Sequence, residues 1–164
     1  MKRVMLMAVG ALLVALCSGA AFADDSRFVF SEQTVKDKRT ALVWTRNASL
    51  AKRNWDGAIE FVKELNQIKY AGYNDWRLSS KKDLDTLVTY ADGAGYGRKS
   101  NPRYIYQLFN QMGFYDVRGN YYWSSSRDGN VIWAVDLSSG NWLESTEKSA
   151  SLKYWDIWPV RGGK

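Results

Sequence analysis

Ser124, Ser125 and Ser126 follow Tyr122-Trp123, and a serine run behind an aromatic pair is a natural place to look for a hydrolytic nucleophile. A serine becomes nucleophilic through an adjacent base, yet the chain has no His and no Gly-x-Ser-x-Gly elbow. Without His there is also no Ser-His-Asp triad and none of the common His-ligated zinc sites. A glycosidase needs only two facing carboxylates, and 17 Asp and Glu are present, but sequence separation does not say which of them share a cleft. Asp128, Asp136 and Asp156 are the acids a calcium ion would have to gather. Calcium takes about six to eight oxygens from a dedicated loop, and no EF-hand spacing occurs here. The expectation is a protein that is not an enzyme and carries no cofactor or metal.

The basic residues say more. Between Lys36 and Arg53 lie six Lys or Arg against a single acid, Asp37. Between Gly93 and Tyr115 lie Arg98, Lys99 and Arg103 and no acid at all. These three stand in or beside a Gly-rich stretch with Tyr96, Tyr104 and Tyr106 interleaved. Guanidinium groups suit sulfate, phosphate and carboxylate, and aromatic faces suit sugar rings and cations. Tyr96, Arg98, Lys99, Arg103 and Tyr104 are therefore the candidate ligand-binding residues, on a loop where binding usually resides. Asp75-Trp76-Arg77 places a carboxylate, an indole and a guanidinium in sequence, but its expected role is structural: a buried Trp flanked by satisfied charges.

Positioning these groups requires a folded domain. The chain has 164 residues, 46% hydrophobic and 24% charged, with eight Trp and ten Tyr. Met1-Lys2-Arg3, an uncharged run from Val4, and Ala21-Phe22-Ala23 before Asp24-Asp25 read as a cleaved signal peptide over residues 1–23. A membrane would be met only through that segment while uncleaved. Cleavage leaves 141 residues in one domain, 24–164, and removal of Lys2 and Arg3 lowers the net charge from +6 to +4. The one cysteine, Cys17, leaves with it, so stability has to come from packing without a disulfide. A periplasmic or secreted location follows, and nucleic acid is not an expected partner there.

Thr34–Asp37 and Ala41–Trp44 read as strands around a Lys38-Arg39 turn. Asn54 is placed to cap a helix whose Trp55, Ala58, Ile59, Val62 and Leu65 form one apolar stripe. Ser80 with Asp83 three residues on resembles a capping box ahead of Leu84, Leu87, Val88 and Ala91. Loop is expected from Asp92 to Gly97, then Asn101-Pro102 as cap and first residue of a third helix ending at Gly113. From Tyr121 the period turns to two. Tyr121–Trp123 and Val131–Leu137 read as strands, Ser138–Asn141 as a hairpin turn into Trp142–Thr146, and Leu152–Arg161 as a last strand that could pair with the first. Strands at both ends around two to three helices, with short antiparallel sheets, make an α+β domain.

Asp37-x-x-Thr40-x-Leu42-x-Trp44-x-Arg46, Trp55-x-x-Ala58, Gly72-Tyr73-x-Asp75-Trp76-Arg77-Leu78, Tyr122-Trp123-Ser124-Ser125-Ser126, Trp133-x-Val135-Asp136 and Pro159-Val160-Arg161 occur in an order and spacing that resembles the Lcl C-terminal domain family. That family takes its name from a Legionella collagen-like adhesin. The resemblance spans residues 34–161 and implies a C-type-lectin-like fold on exported bacterial proteins. It implies structural roles for Trp44, Trp55, Asp75, Trp76, Arg77, Trp123, Trp133 and Arg161. Two departures stand out: Leu78-Ser79-Ser80 where the family commonly reads Leu-Pro-Thr, and no cysteine after residue 17. The Glu-Pro-Asn or Gln-Pro-Asp tripeptide of calcium-dependent lectins is missing as well. The function expected is a non-enzymatic envelope or surface module binding an anionic polysaccharide or another surface component. The alternatives are a protein-interaction module bound to an envelope protein and a carboxylate-dependent hydrolase.

Overall fold

The computed structural model describes residues 26–97 and 103–163. The expected signal peptide, Arg98, Lys99 and Asn101-Pro102 lie outside the described residues. The chain runs through β1 (Phe28–Phe30), β2 (Thr34–Asp37), β3 (Leu42–Thr45), β4 (Ala51–Arg53), α1 (Trp55–Gln67), a 3-10 turn (Tyr70–Gly72), β5 (Arg77–Leu78) and α2 (Lys81–Gly93). It continues through α3 (Ile105–Met112), β6 (Tyr121–Asp128), β7 (Val131–Asp136), β8 (Trp142–Thr146), α4 (Glu147–Ala150), β9 (Trp155–Ile157) and β10 (Pro159–Gly162). The strands form two five-stranded sheets, β1-β2-β3-β10-β5 and β4-β9-β6-β7-β8, antiparallel except for the β6–β9 pair. This is the α+β class expected. Among the described residues no helix is long and apolar enough to cross a membrane.

Local chemistry explains the two long helices. The Asn54 side chain accepts the Gly57 N–H at 2.9 Å, and Ala58, Val62 and Leu65 bury the stripe that follows. Ser80 and Asp83 form the full reciprocal box: Ser80 Oγ accepts the Asp83 N–H at 3.2 Å, and Asp83 Oδ2 accepts the Ser80 N–H at 2.8 Å. The serine thus serves where the family commonly has threonine.

The sequence reading needs correction at three places. The segment Leu152–Arg161 is two strands in different sheets, joined through Trp158. That indole is fully buried, donates its N–H to Thr45 O at 3.0 Å, and packs edge-on against Trp44, Phe109 and Phe114. The chain therefore crosses between sheets on one residue, and Pro159, lacking an N–H, opens the next strand where no ladder bond is lost. The last strand pairs with β3 and β5, so β3 separates it from β2 instead of the two pairing directly. Finally, α3 starts at Ile105, not at Pro102, because the Ile105 and Tyr106 N–H groups donate to Ser138 O and Leu137 O at 3.4 and 2.9 Å. The β7–β8 connection satisfies the first helical N–H groups, and Gln107 Oε1 accepts the Tyr104 N–H at 3.2 Å.

Two apolar cores result. One gathers Phe28, Trp44, Leu84, Leu87, Phe109, Phe114 and Trp158 between the first sheet, α2 and α3, with Tyr122 of β6 and Val135 of β7 joining from the second sheet. The other packs Ala58, Val62, Trp123, Ile132, Ala150 and Ile157 between the second sheet, α1 and α4.

Candidate functional site

The Asp-Trp-Arg motif is bonded into the scaffold. Trp76 is 3% exposed, lies edge-on to Tyr70 and Tyr73, and donates its indole N–H to Tyr70 O at 2.9 Å. The Asn66 amide clamps its backbone from both sides, at 2.7 and 2.8 Å. Asp75 takes a forked bond from Arg161 at 2.6 and 3.0 Å, and Arg77 grips Asp83 at 2.6 and 3.3 Å. The Arg161 guanidinium holds the Asp75 carboxyl below the usual carboxylate range. At Asp83 burial acts to raise the pKa, and the bonds from Arg77 and Ser80 outweigh it, so the net direction is down.

The other aromatic motif residues serve packing too. Trp44 and Trp123 are fully buried, and Trp123 donates its indole N–H to Arg53 O at 2.9 Å. Half-buried Trp133 carries the Lys81 ammonium 3.2 Å above its ring. The serine run is bonded into the scaffold. Ser124 O accepts the Trp55 indole N–H, Ser124 Oγ accepts the Ser126 N–H, and Ser126 Oγ accepts the Lys81 N–H, all at 2.9–3.0 Å. These residues sit where the β6–β7 register shifts. The three calcium candidates are also accounted for individually. Asp136 closes the Ser138–Ser139 turn, buried Asp156 accepts from Ser49 and Asn120, and Asp128 lies at the far end of β6.

Of the loop candidates, Tyr96, Arg103 and Tyr104 come together. The Gly97 N–H donates to Arg103 O at 2.7 Å and pinches the loop shut at its base. Gly97 has a φ of +80°, and a Cβ there would lie 2.9 Å from Ile105, so this position requires glycine. Arg103 stands 5.8 Å from the Tyr96 ring, and Tyr104, 45% exposed, stacks on Tyr106 at 5.6 Å. Tyr96 is committed in part to the core and donates its hydroxyl to Gln111 at 3.2 Å. Arg98 and Lys99 lie outside the described residues.

A concave feature lies elsewhere. Two adjoining hollows of about 320 and 400 Å³ share Arg27, Arg39 and Tyr90. Their walls are the β2–β3 turn, with Lys38, Arg39 and Thr40, and the outer face of α2. Lys82, Asp85, Thr86, Thr89 and Tyr90 of α2 recur every three to four residues and so share that face. The turn is held by Asp37, whose Oδ1 accepts the Arg39 N–H at 2.9 Å, and by the left-handed φ of +59° at Ala41. Arg27 is neutralised: it bonds Asp37 through two nitrogens at 2.9 and 2.6 Å, and its guanidinium lies 4.9 and 5.0 Å from the Phe28 and Tyr90 rings. Lys38, Arg39 and Lys82 take part in no ion pair among the described residues. The groove therefore presents three uncompensated cations against Asp85, beside threonine hydroxyls and a tyrosine ring. Such a surface can hold an anionic polymer. Arg27, Lys82 and Tyr90 were not singled out from the sequence; the polar stripe of α2 was the signal that could have found the last two.

A model of the Lcl C-terminal domain matches residues 33–161, nearly the span the sequence motifs suggested. The chain belongs to the Lcl C-terminal domain family. No curated protein matches it. In this Lcl C-terminal domain, the residues that carried the resemblance are mostly the buried Trp and paired charges of the scaffold. The groove and the loop lie beside them.

Proposed function

We propose that this Lcl C-terminal domain is a non-enzymatic binding module of the bacterial envelope or surface, acting after export, and that it holds an anionic glycan along the Lys38–Arg39–Lys82 groove. The observation that carries this reading is the gathering of three unpaired cations from two separate segments onto one concave face. Their charges are screened over about 8–10 Å at 0.1–0.15 M salt, so a sulfated or carboxylated polymer should bind more weakly as salt rises. The Arg103 loop offers a second cationic contact, and its exposed Tyr104 favours the alternative of a protein partner.

The test compares three charge-matched triple variants on a sulfated polysaccharide and on an uncharged one. Lys38, Arg39 and Lys82 to Ala should weaken binding to the sulfated polymer by about tenfold or more, which is roughly 1.4 kcal/mol. Arg98, Lys99 and Arg103 to Ala reports on the loop. Lys36, Lys52 and Arg53 to Ala controls for net charge. Equal losses in all three would reduce the effect to the overall basic field. No binding by the unaltered protein at low salt would remove the glycan reading in favour of the protein partner.

A further inference from the structure

The second sheet carries a pocket of different chemistry. It has a volume of about 230 Å³ and opens between the first turn of α1, α4 and the β6–β7 pair. Ile132 and Ala150, each 1% exposed, close it at the bottom beside the indole of Trp55, so the surface open to a ligand is mainly polar. The indole is fixed in place because its N–H donates inward to Ser124 O at 2.9 Å. The two helical walls are tied together, since Asn54 Nδ2 donates to Ser151 O at 3.1 Å. The site is therefore built before any ligand arrives.

The rim carries Asp56, Arg127 and Glu147. Arg127 pairs with Glu147 through one nitrogen and lies with its guanidinium 5.2 Å from the Trp55 ring. That leaves other Arg127 N–H donors and one Glu147 oxygen uncommitted. The Asp56 carboxylate has no hydrogen-bond or ion-pair partner among the described residues. Donors and acceptors thus share the rim. A hydroxyl group donates and accepts at once, and a ring of hydroxyls matches that arrangement. Two carboxylates against one guanidinium disfavour an anion. Arg127 already occupies the cation position over the indole, which disfavours a second cation. At roughly 30 Å³ per water the pocket has room for about seven waters, the scale of one ring and below the ~300–1,000 Å³ of larger ligand sites.

We propose that this pocket is a second ligand site, independent of the basic groove, and that it takes a single uncharged sugar ring beside Trp55 with its hydroxyls on Asp56, Arg127 and Glu147.

The experiment is a titration of the ¹⁵N-labelled protein, following the Trp55 indole N–H signal assigned through Trp55→Phe. The probes are methyl glucoside, methyl galactoside and methyl N-acetylglucosaminide, with lysine methyl ester and glucuronate as cationic and anionic comparators. At least one neutral glycoside should shift the signal saturably with a dissociation constant of about 1–10 mM. The affinity should not change with salt or in the Lys38, Arg39, Lys82 triple variant. Asp56→Ala and Arg127→Ala, both at exposed positions, should each weaken it about fivefold or more. Asp56→Asn, which keeps an acceptor without the charge, should retain more of it. The proposal is overturned if no neutral glycoside saturates the signal, if the alanine variants bind as the unaltered protein does, or if the lysine ester alone produces the shift.

Discussion

Asp37→Asn probes how the basic groove is held to the scaffold. Asp37 is fully buried and accepts from Arg27 at 2.9 and 2.6 Å and from the Arg39 N–H at 2.9 Å. The Arg27 side chain is 11% exposed and also donates to Thr86 O at 3.3 Å, so one ion pair ties the N-terminal strand pair and its turn to α2. Asparagine keeps the shape and one acceptor, and leaves a largely buried guanidinium without its counter-charge. Breaking a buried pair from one side costs about 3–5 kcal/mol. The Thr86 carbonyl and the two flanking rings remain for Arg27, which places the expected loss near the lower end, about 3 kcal/mol. A domain of this kind has on the order of 5–15 kcal/mol in total, so the effect is large.

The assay is urea unfolding followed by tryptophan fluorescence, at neutral pH and then across the acid range. Burial acts to raise the Asp37 pKa, but the bonds and charge of Arg27 and the Arg39 N–H outweigh it, and the folded value lies below the ordinary one. A carboxylate with a lowered folded pKa contributes its full stabilisation above the unfolded value of about 3.9 and loses it as pH falls through the folded value. The gap between wild type and Asp37→Asn should therefore shrink below about pH 4. Adding Arg27→Met to Asp37→Asn should recover part of the loss, because no unpaired charge then remains. A loss under about 1 kcal/mol at neutral pH, or a gap that stays constant in acid, would refute the reasoning.

Trp76→Ala should cost about 3–5 kcal/mol in the same assay, since the indole is 3% exposed and held through Asn66, Tyr70 and Tyr73. Gly97→Ala should cost about 1–3 kcal/mol by combining a positive φ with overpacking against Ile105, and amide spectra should change at Arg103 and Ser139. A protein of residues 24–164 has no cysteine, so a reducing agent should leave its Tm within about 1 °C, well inside the roughly 4 °C that 1 kcal/mol moves a domain of this size.

Elements with their own punctuation were legible in the sequence. Asn54 and Ser80-x-x-Asp83 announce helix starts, the Leu84–Leu87–Ala91 stripe announces a buried face, and Ser138–Asn141 announces a hairpin. The three-residue strands β1 and β4 and the four-residue α4 were missed because such short segments complete no period and form only through tertiary pairing. The break at Trp158 was hidden for a different reason: a residue that pins two sheets reads locally as one more apolar strand residue. Lys38 and Arg39 stood out as part of a basic stretch, but a charge run does not reveal its own concavity. The groove arises only when the polar stripe of α2 is set against the β2–β3 turn, with Arg27 folded in beneath. The Trp55 pocket had no linear signal, because its rim residues come from three separate elements that meet through packing.

The two proposed sites should act independently, and the arrangement of the cores gives the reason. Tyr90 of the groove packs against the Phe28–Phe109 core, whereas Ile132 and Ala150 of the pocket belong to the Trp123–Ile157 core. Coupling between sites requires a shared element with two arrangements that both ligands bias. The cores share β6 and β7, whose Tyr122 and Val135 face the first and Trp123 and Ala134 the second, and the chain crosses between sheets at the fully buried Trp158, whose indole is hydrogen-bonded and ringed by aromatic side chains. Nothing in that contact offers a second packing to be selected by either ligand. The guanidinium groups of Arg77 and Arg161 are likewise matched locally, by Asp83 and Asp75. The dissociation constant of the neutral glycoside, read at the Trp55 indole, should therefore change by less than about twofold when a sulfated polymer saturates the groove, a coupling below roughly 0.5 kcal/mol. A shift of fivefold or more would mean that the crossing at Trp158 is a moving part, and the Trp158 indole N–H signal would then have to respond to the polymer as well.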